Sequence, residues 1–140
     1  MDNAKQIVQT MYKRDYFSQW LGIEIVAAEE GRCTLRMRVR AEMLNGFGIA
    51  HGGITYSLAD SALAFACNSF GRHAVSVETS ISHTASVKEG DILTASALLE
   101  TQSNRIGVFR IEVVREADNK VVGIFKGVVY RKDTLWEVDM

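Results

Sequence analysis

The residues best able to do chemistry fall within one stretch, LNGFGIAHGGITYSLADSALAFACNSF, residues 44 to 70. From about Gly53 it is apolar on nearly every side, through Ile54, Leu58, Ala59, Ala62, Leu63, Ala64, Phe65, Ala66 and Cys67. One carboxylate interrupts that run: Asp60, between Ala59 and Ser61. A carboxylate there costs several kcal/mol unless it finds partners or its pKa rises. The plain reading is an Asp hydrogen-bonded at a subunit interface; the chemical reading is a general base. Just upstream, His51-Gly52-Gly53 places two glycines where a helix would start. Their N–H groups are unpaired donors that another group can approach closely, and such an end stabilises a phosphate, a carboxylate or a developing oxyanion. Asn45, in a loop marked by Asn45-Gly46 and Gly48, adds a side-chain donor. Taken singly, Asn-Gly is usually a turn and His before Gly a capping residue. Together with Asp60 they describe donors for an oxyanion and a base for a water.

The elements that must position these groups can be read by period. As a helix, the run after Gly53 would be buried all round, a rod of roughly 27 Å thin enough for strands to wrap closely. Before it, Ile7, Val8, Met11, Tyr12 and Trp20 recur at helical spacing over residues 3 to 20, with Tyr16 and Phe17 near the end. Gly22 and Gly31 bracket a short strand, IEIVAAEE. CTLRMRVR then alternates Cys33, Leu35, Met37 and Val39 with Thr34, Arg36, Arg38 and Arg40. Its three arginines suit an anionic ligand or, preferably, a solvated edge strand that resists aggregation. Gly71 is a stop signal for the central helix. Residues 73 to 83 alternate again, with Val75, Val77 and Ile81 on one face and Ser76, Glu78, Ser80 and Ser82 on the other. Three more strands are predicted at about 91 to 103, 105 to 116 and 120 to 132, with turns at Lys88-Glu89-Gly90-Asp91 and Asp118-Asn119-Lys120. The tail DTLWEVDM is expected to fray. Strands flanking a single central helix argue for an α+β fold.

Over residues 44 to 70 the pattern LNGFGIAHGG…SLADSALAFACNS resembles the hotdog-fold acyl-CoA thioesterases, within them the phenylacetate-degradation (PaaI-type) branch, and the order of elements fits from about residue 15 to 132. The resemblance implies a curved antiparallel sheet wrapped around one long central helix. It also implies an oligomer, a homodimer or a homotetramer, that hydrolyses small acyl-CoA thioesters. By the same resemblance Gly52 supplies the oxyanion N–H, Asn45 helps polarise the thioester carbonyl and Asp60 activates water. Ser76 stands where some members hold the attacking water with a serine. The family usually has an aromatic residue and then a proline before the next turn. This chain instead has His83-Thr84-Ala85-Ser86, a departure at the acyl pocket, and His83 is read as a wall or surface residue.

Thioester hydrolysis needs a water, a held oxyanion and a leaving thiolate. A thiol with a pKa near 8.5 leaves without a dedicated acid. That matches one carboxylate, Asp60, with Gly52 and Asn45 as oxyanion donors and His51 organising the loop. Water attack and direct attack by Asp60 through an anhydride are both compatible with this set. Neither His51 nor His83 sits beside a Ser or Cys in a nucleophile elbow, and no spacing resembles a zinc site. The resemblance implies phenylacetyl- and hydroxyphenylacetyl-CoA as the favoured substrate class, with hydroxybenzoyl- and medium- or long-chain acyl-CoA as alternatives. Two rival functions are a hotdog dehydratase using His51 as base and a non-catalytic acyl-CoA sensor, which normally needs a reader domain.

Composition bounds the rest. The 140 residues suit one domain, 1 to 140, with no linker, repeat or proline to mark a boundary. A formal charge of −1 leaves no excess of Lys and Arg to neutralise nucleic-acid phosphates, so a polyanion such as CoA needs a local basic cluster. No apolar run approaches a membrane span, and MDNAKQIVQT lacks a signal peptide's apolar core. Cys33 and Cys67 read as reduced core residues of a cytoplasmic protein. No cofactor and no metal are expected, and the partner is a small-molecule acyl-CoA.

Overall fold

A computed structural model of the chain describes residues 2–138. Its centre is helix α3, Gly52–Asn68, in which Leu58, Ala59, Ala62, Phe65 and Ala66 are fully buried. Six strands curve around it: β1 (Glu24–Glu29), β2 (Arg32–Arg38), β3 (Arg72–His83), β4 (Ile92–Gln102), β5 (Ile106–Arg115) and β6 (Lys120–Leu135). They form one sheet in the order β1-β2-β4-β5-β6-β3, and every adjacent pair is antiparallel. This is the α+β hotdog arrangement, a curved antiparallel sheet around one long helix. The core lies between them, filled by Leu35, Met37, Leu93, Phe109, Ile111 and Phe125 from the strands.

Alanine is what lets the sheet come close. At Gly127 of β6 even a methyl is too much, since a Cβ there would overlap both methyls of Leu63 on the helix. At the far end of α3 the chain turns through Gly71, at φ +103°, into β3. Buried Asn68 fastens this corner. Its amide donates to Ala64 O (2.8 Å) and Ala74 O (3.0 Å), and its Oδ1 accepts from Ala74 N (2.9 Å).

Four details differ from the reading by period. The N-terminal helix is two helices, α1 (Ala4–Arg14) and α2 (Tyr16–Leu21), because Asp15 caps the second by accepting from Ser18 N (2.9 Å). The arginine-bearing strand β2 is not an edge, since β1 covers it. Arg36 and Arg40 are committed to Glu116 (2.9 Å) and Glu42 (3.1 Å). In β3 a bulge between Ser76 and Glu78 switches the faces: Ser76 opposes buried Val129, and Ile81, beyond the bulge, opposes buried Phe125. Ser76 and Ile81 thus share the inner face, and the alternation drawn through Val75, Val77 and Ile81 breaks at Val77. Finally, the tail is ordered through Trp136. Leu135 ends β6, and Trp136 N donates to Gly71 O (2.9 Å); Asp139 and Met140 lie outside the described residues.

The Gly127–Leu63 approach makes a stability prediction. Gly127→Ala should destabilise the fold by about 1–3 kcal/mol, the usual range for overpacking a tight core. Denaturant titration checks it, and an unchanged midpoint would mean that helix and sheet separate freely there.

Candidate active site

His51 is the N-cap of α3. Its Nδ1 accepts from Gly53 N (2.8 Å), and its backbone N–H is tied to Met43 O (2.8 Å). An accepting Nδ1 leaves the proton on Nε2 of the neutral ring. With Gly53 satisfied by the cap, the Gly52 N–H has no partner among the described residues and points out of the helix end. The loop before it is closed by a bridge between Leu44 and Ala50. Inside, Asn45 Oδ1 accepts from Phe47 N (2.9 Å), fixing the amide so that its Nδ2 remains a free donor among the described residues. Asn45 and Gly52 line one cavity of about 410 Å³, together with Thr55 and His83. The His83 ring lies against Gly52 so closely that a Cβ there would stand 3.1 Å from its Nε2. His83 is therefore a wall of the donor cavity, and glycine leaves the gap between helix end and imidazole open.

Asp60 lies elsewhere. It is half-buried and lines a second cavity, of about 350 Å³, with Ser76 of β3 opposite. Leu63, Ala64, Met11 and Trp136 make that cavity largely apolar. Burial pushes the Asp60 carboxyl above its usual pKa, and the nearby charge of Asp15 pushes it the same way. Asp15 reaches α3 through a serine relay: Ser18 Oγ donates to Asp15 Oδ2 (2.6 Å) and pairs with Ser61 Oγ (2.8 Å). The structure thus unites Asn45, Gly52 and His51 at one end of α3, and Asp60 with Ser76 further along. It does not bring the two groups together within one chain. Both cysteines are free and buried, and burial pushes each thiol up to about 12, which leaves them inert.

Known proteins can now be set beside this geometry. A family described as the thioesterase superfamily matches residues 47–122, more than half of the chain, including Gly52, Asp60 and Ser76. The chain belongs to the thioesterase superfamily. It is 41% identical to the acyl-coenzyme A thioesterase PaaI of Escherichia coli strain K12, over 91% of each chain. The structure of the E. coli PaaI protein from the phenylacetic acid degradation operon superposes with a TM-score of 0.92 at 39% identity, covering 95% of this chain and 96% of that one. The TT0310 protein of Thermus thermophilus superposes at 0.81 with 36% identity, covering 84% and 98%.

Two groups of this thioesterase's candidate site escaped the sequence reading. Asp15 lies far from Asp60 in sequence, and its only local signal is an acid three residues before a serine, a helix-cap spacing. Trp136 and His73, both on the Asp60 cavity, come from segments whose pattern says nothing about the helix. Asp15 yields a prediction with a sign. Its negative charge disfavours ionisation of Asp60, so Asp15→Asn, which keeps a capping oxygen, should lower the Asp60 pKa. If Asp60 works as the base, activity appears as it deprotonates, and the acid limb of the kcat/KM profile should move to lower pH. A limb that stays in place would show that Asp15 does not act on the reacting carboxylate.

Proposed function

We propose that this thioesterase hydrolyses acyl-CoA thioesters of small aromatic acids, of the phenylacetyl and hydroxyphenylacetyl type, at sites each built from two copies of the chain. One observation carries the reading: the two groups of candidate residues are separated along α3. Gly52 and Asp60 are eight positions apart, on the order of 12 Å along a helix axis, and they line different cavities. A base and an oxyanion donor must each come within about 3 Å of groups on one reacting centre. Two α3 helices running antiparallel across a two-fold axis meet that demand, with Gly52 of one copy facing Asp60 of the other.

The surface supports such pairing. β3 is an edge strand of 12 residues whose exposed side chains include Val75 and Val77, and the unpaired N–H and C=O groups of so long an edge are a template for pairing with another chain. Phe47, at the tip of the Asn45 loop, is 91% exposed and offers a partner further apolar surface. Val75, Tyr130 and Ile106 are neighbours across β3, β6 and β5 on the outer face, and that stripe is suited to joining dimers into a tetramer.

Chemically, Asp60 takes a proton from a water held near Ser76 as the water oxygen adds to the thioester carbonyl carbon. The oxyanion accepts hydrogen bonds from the Gly52 N–H and Asn45 Nδ2 of the facing chain, donors already aimed before the charge develops. Collapse breaks the C–S bond, and CoA leaves as a thiolate that then takes up a proton. Burial, with the charge of Asp15, holds the Asp60 carboxyl above its usual pKa, the direction that makes its carboxylate a stronger base. His51 is poorly placed to serve instead as a dehydratase base, because its Nδ1 lone pair is already taken by the helix cap. The aromatic preference is supported by the apolar walls of the Asp60 cavity and by the similarity to PaaI.

Kinetics on phenylacetyl-CoA test the assignment. Asp60→Asn should remain a folded oligomer and lose roughly 10²–10⁴ in turnover; near-normal turnover would make Asp60 an interface residue. Asn45→Ala should lower kcat about 10²-fold with a smaller change in KM. A loss confined to KM would mean that Asn45 shapes the loop rather than the transition state.

A further inference from the structure

Trp136 is a wall of three separate cavities. One is the Asp60 cavity of about 350 Å³. The second, about 340 Å³, is bounded by Met11, Arg14 and Asp15, and the third, about 230 Å³, reaches Ile7 and Phe70. The indole is held from three sides. Its backbone N–H donates to Gly71 O (2.9 Å), its Nε1 donates to Asn68 Oδ1 (2.9 Å), and its ring stacks on His73 with centroids 4.2 Å apart and planes 29° apart. Asn68 is 3% exposed and is itself fixed by the hydrogen bonds that join α3 to β3. A ring pinned to a buried amide is a fixed partition.

We propose that Trp136 is the end wall of the acyl pocket and determines acyl specificity by closing the Asp60 cavity off from the two spaces behind it. The proposal rests on the reading of that cavity as the acyl half of a thioesterase site. At about 30 Å³ per water-sized group, the cavity holds on the order of ten such groups. A ring on a short spacer fits that volume, whereas a long straight chain outgrows it, and one that runs towards residue 136 meets the indole. Shrinking residue 136 joins the first cavity to the second and gives such a chain added, mainly apolar space beside Met11, bordered by Arg14 and Asp15. Each methylene that gains burial is worth about fourfold in binding, so the effect on specificity should grow with chain length until the added space is filled.

The test is kcat/KM of the full-length wild type and of Trp136→Phe, Trp136→Leu and Trp136→Ala on phenylacetyl-, hexanoyl-, decanoyl- and palmitoyl-CoA. The decanoyl-to-phenylacetyl ratio should rise stepwise as the side chain shrinks, by tenfold or more in Trp136→Ala, with Trp136→Phe close to wild type. Should the alanine variant not fold, the same ordering between the phenylalanine and leucine variants carries the test. Parallel loss on all substrates with an unchanged ratio, in a wild type that is active, overturns the wall and leaves the catalytic reading standing. A wild type that hydrolyses none of the four thioesters overturns both.

Discussion

Helix α3 is a rigid rod that carries a free backbone donor at its first residue and a carboxylate about two turns further on. That fixed interval is the constraint on which the rest depends. It is too long for both groups to act on one carbonyl and it cannot be shortened, because Thr55, Leu58 and Ala59 between them are buried in the core. On the proposed reading, the chain presents two halves of a site, each with its own cavity. The exposed β3 edge and the bare Phe47 are surfaces consistent with a fold that is finished by a second copy of itself.

Around this rod, several polar side chains use one end to fix the backbone and leave the other for the site. His51 accepts from Gly53 through Nδ1, which frees the Gly52 N–H. Asn45 accepts from Phe47 through Oδ1, which leaves Nδ2 as a donor. Asn68 bonds the corner between α3 and β3 and also receives the Trp136 indole, so the hydrogen bonds that shape the turn also place a cavity wall. In each case a local backbone requirement and the geometry of the proposed site are met by the same atoms, which limits what can change at these positions without cost.

Much of this was legible in the chain itself. A buried helix with a solitary carboxylate, glycines at its start and an Asn-Gly loop before it are local features, and they gave the helix, its cap and the grouping of Asn45 with Gly52. The strand count and most strand boundaries followed from turn signals, with period-2 alternation marking β2 and part of β3. What was not legible depended on pairing between distant segments. The β3 bulge has no compositional mark, yet it turns Ser76 inward towards Asp60. That β2 is interior depends on where β1 lies. Trp136 looks like part of a loose tail until Gly71 and Asn68 are seen to hold it, and Asp15 acquires meaning only through the Ser18–Ser61 contact.

The division of each proposed site between two chains is tested most directly by mixing two damaged enzymes. Asn45→Ala subunits lack a donor and Asp60→Asn subunits lack the base, so each homodimer should be nearly inactive. After subunit exchange, a mixed dimer carries one doubly damaged site and one intact site. With random pairing, half the dimers are mixed and half their sites intact, and about a quarter of wild-type activity should return. If exchange is verified and no activity reappears, the site lies within a single chain and this account of α3 is wrong.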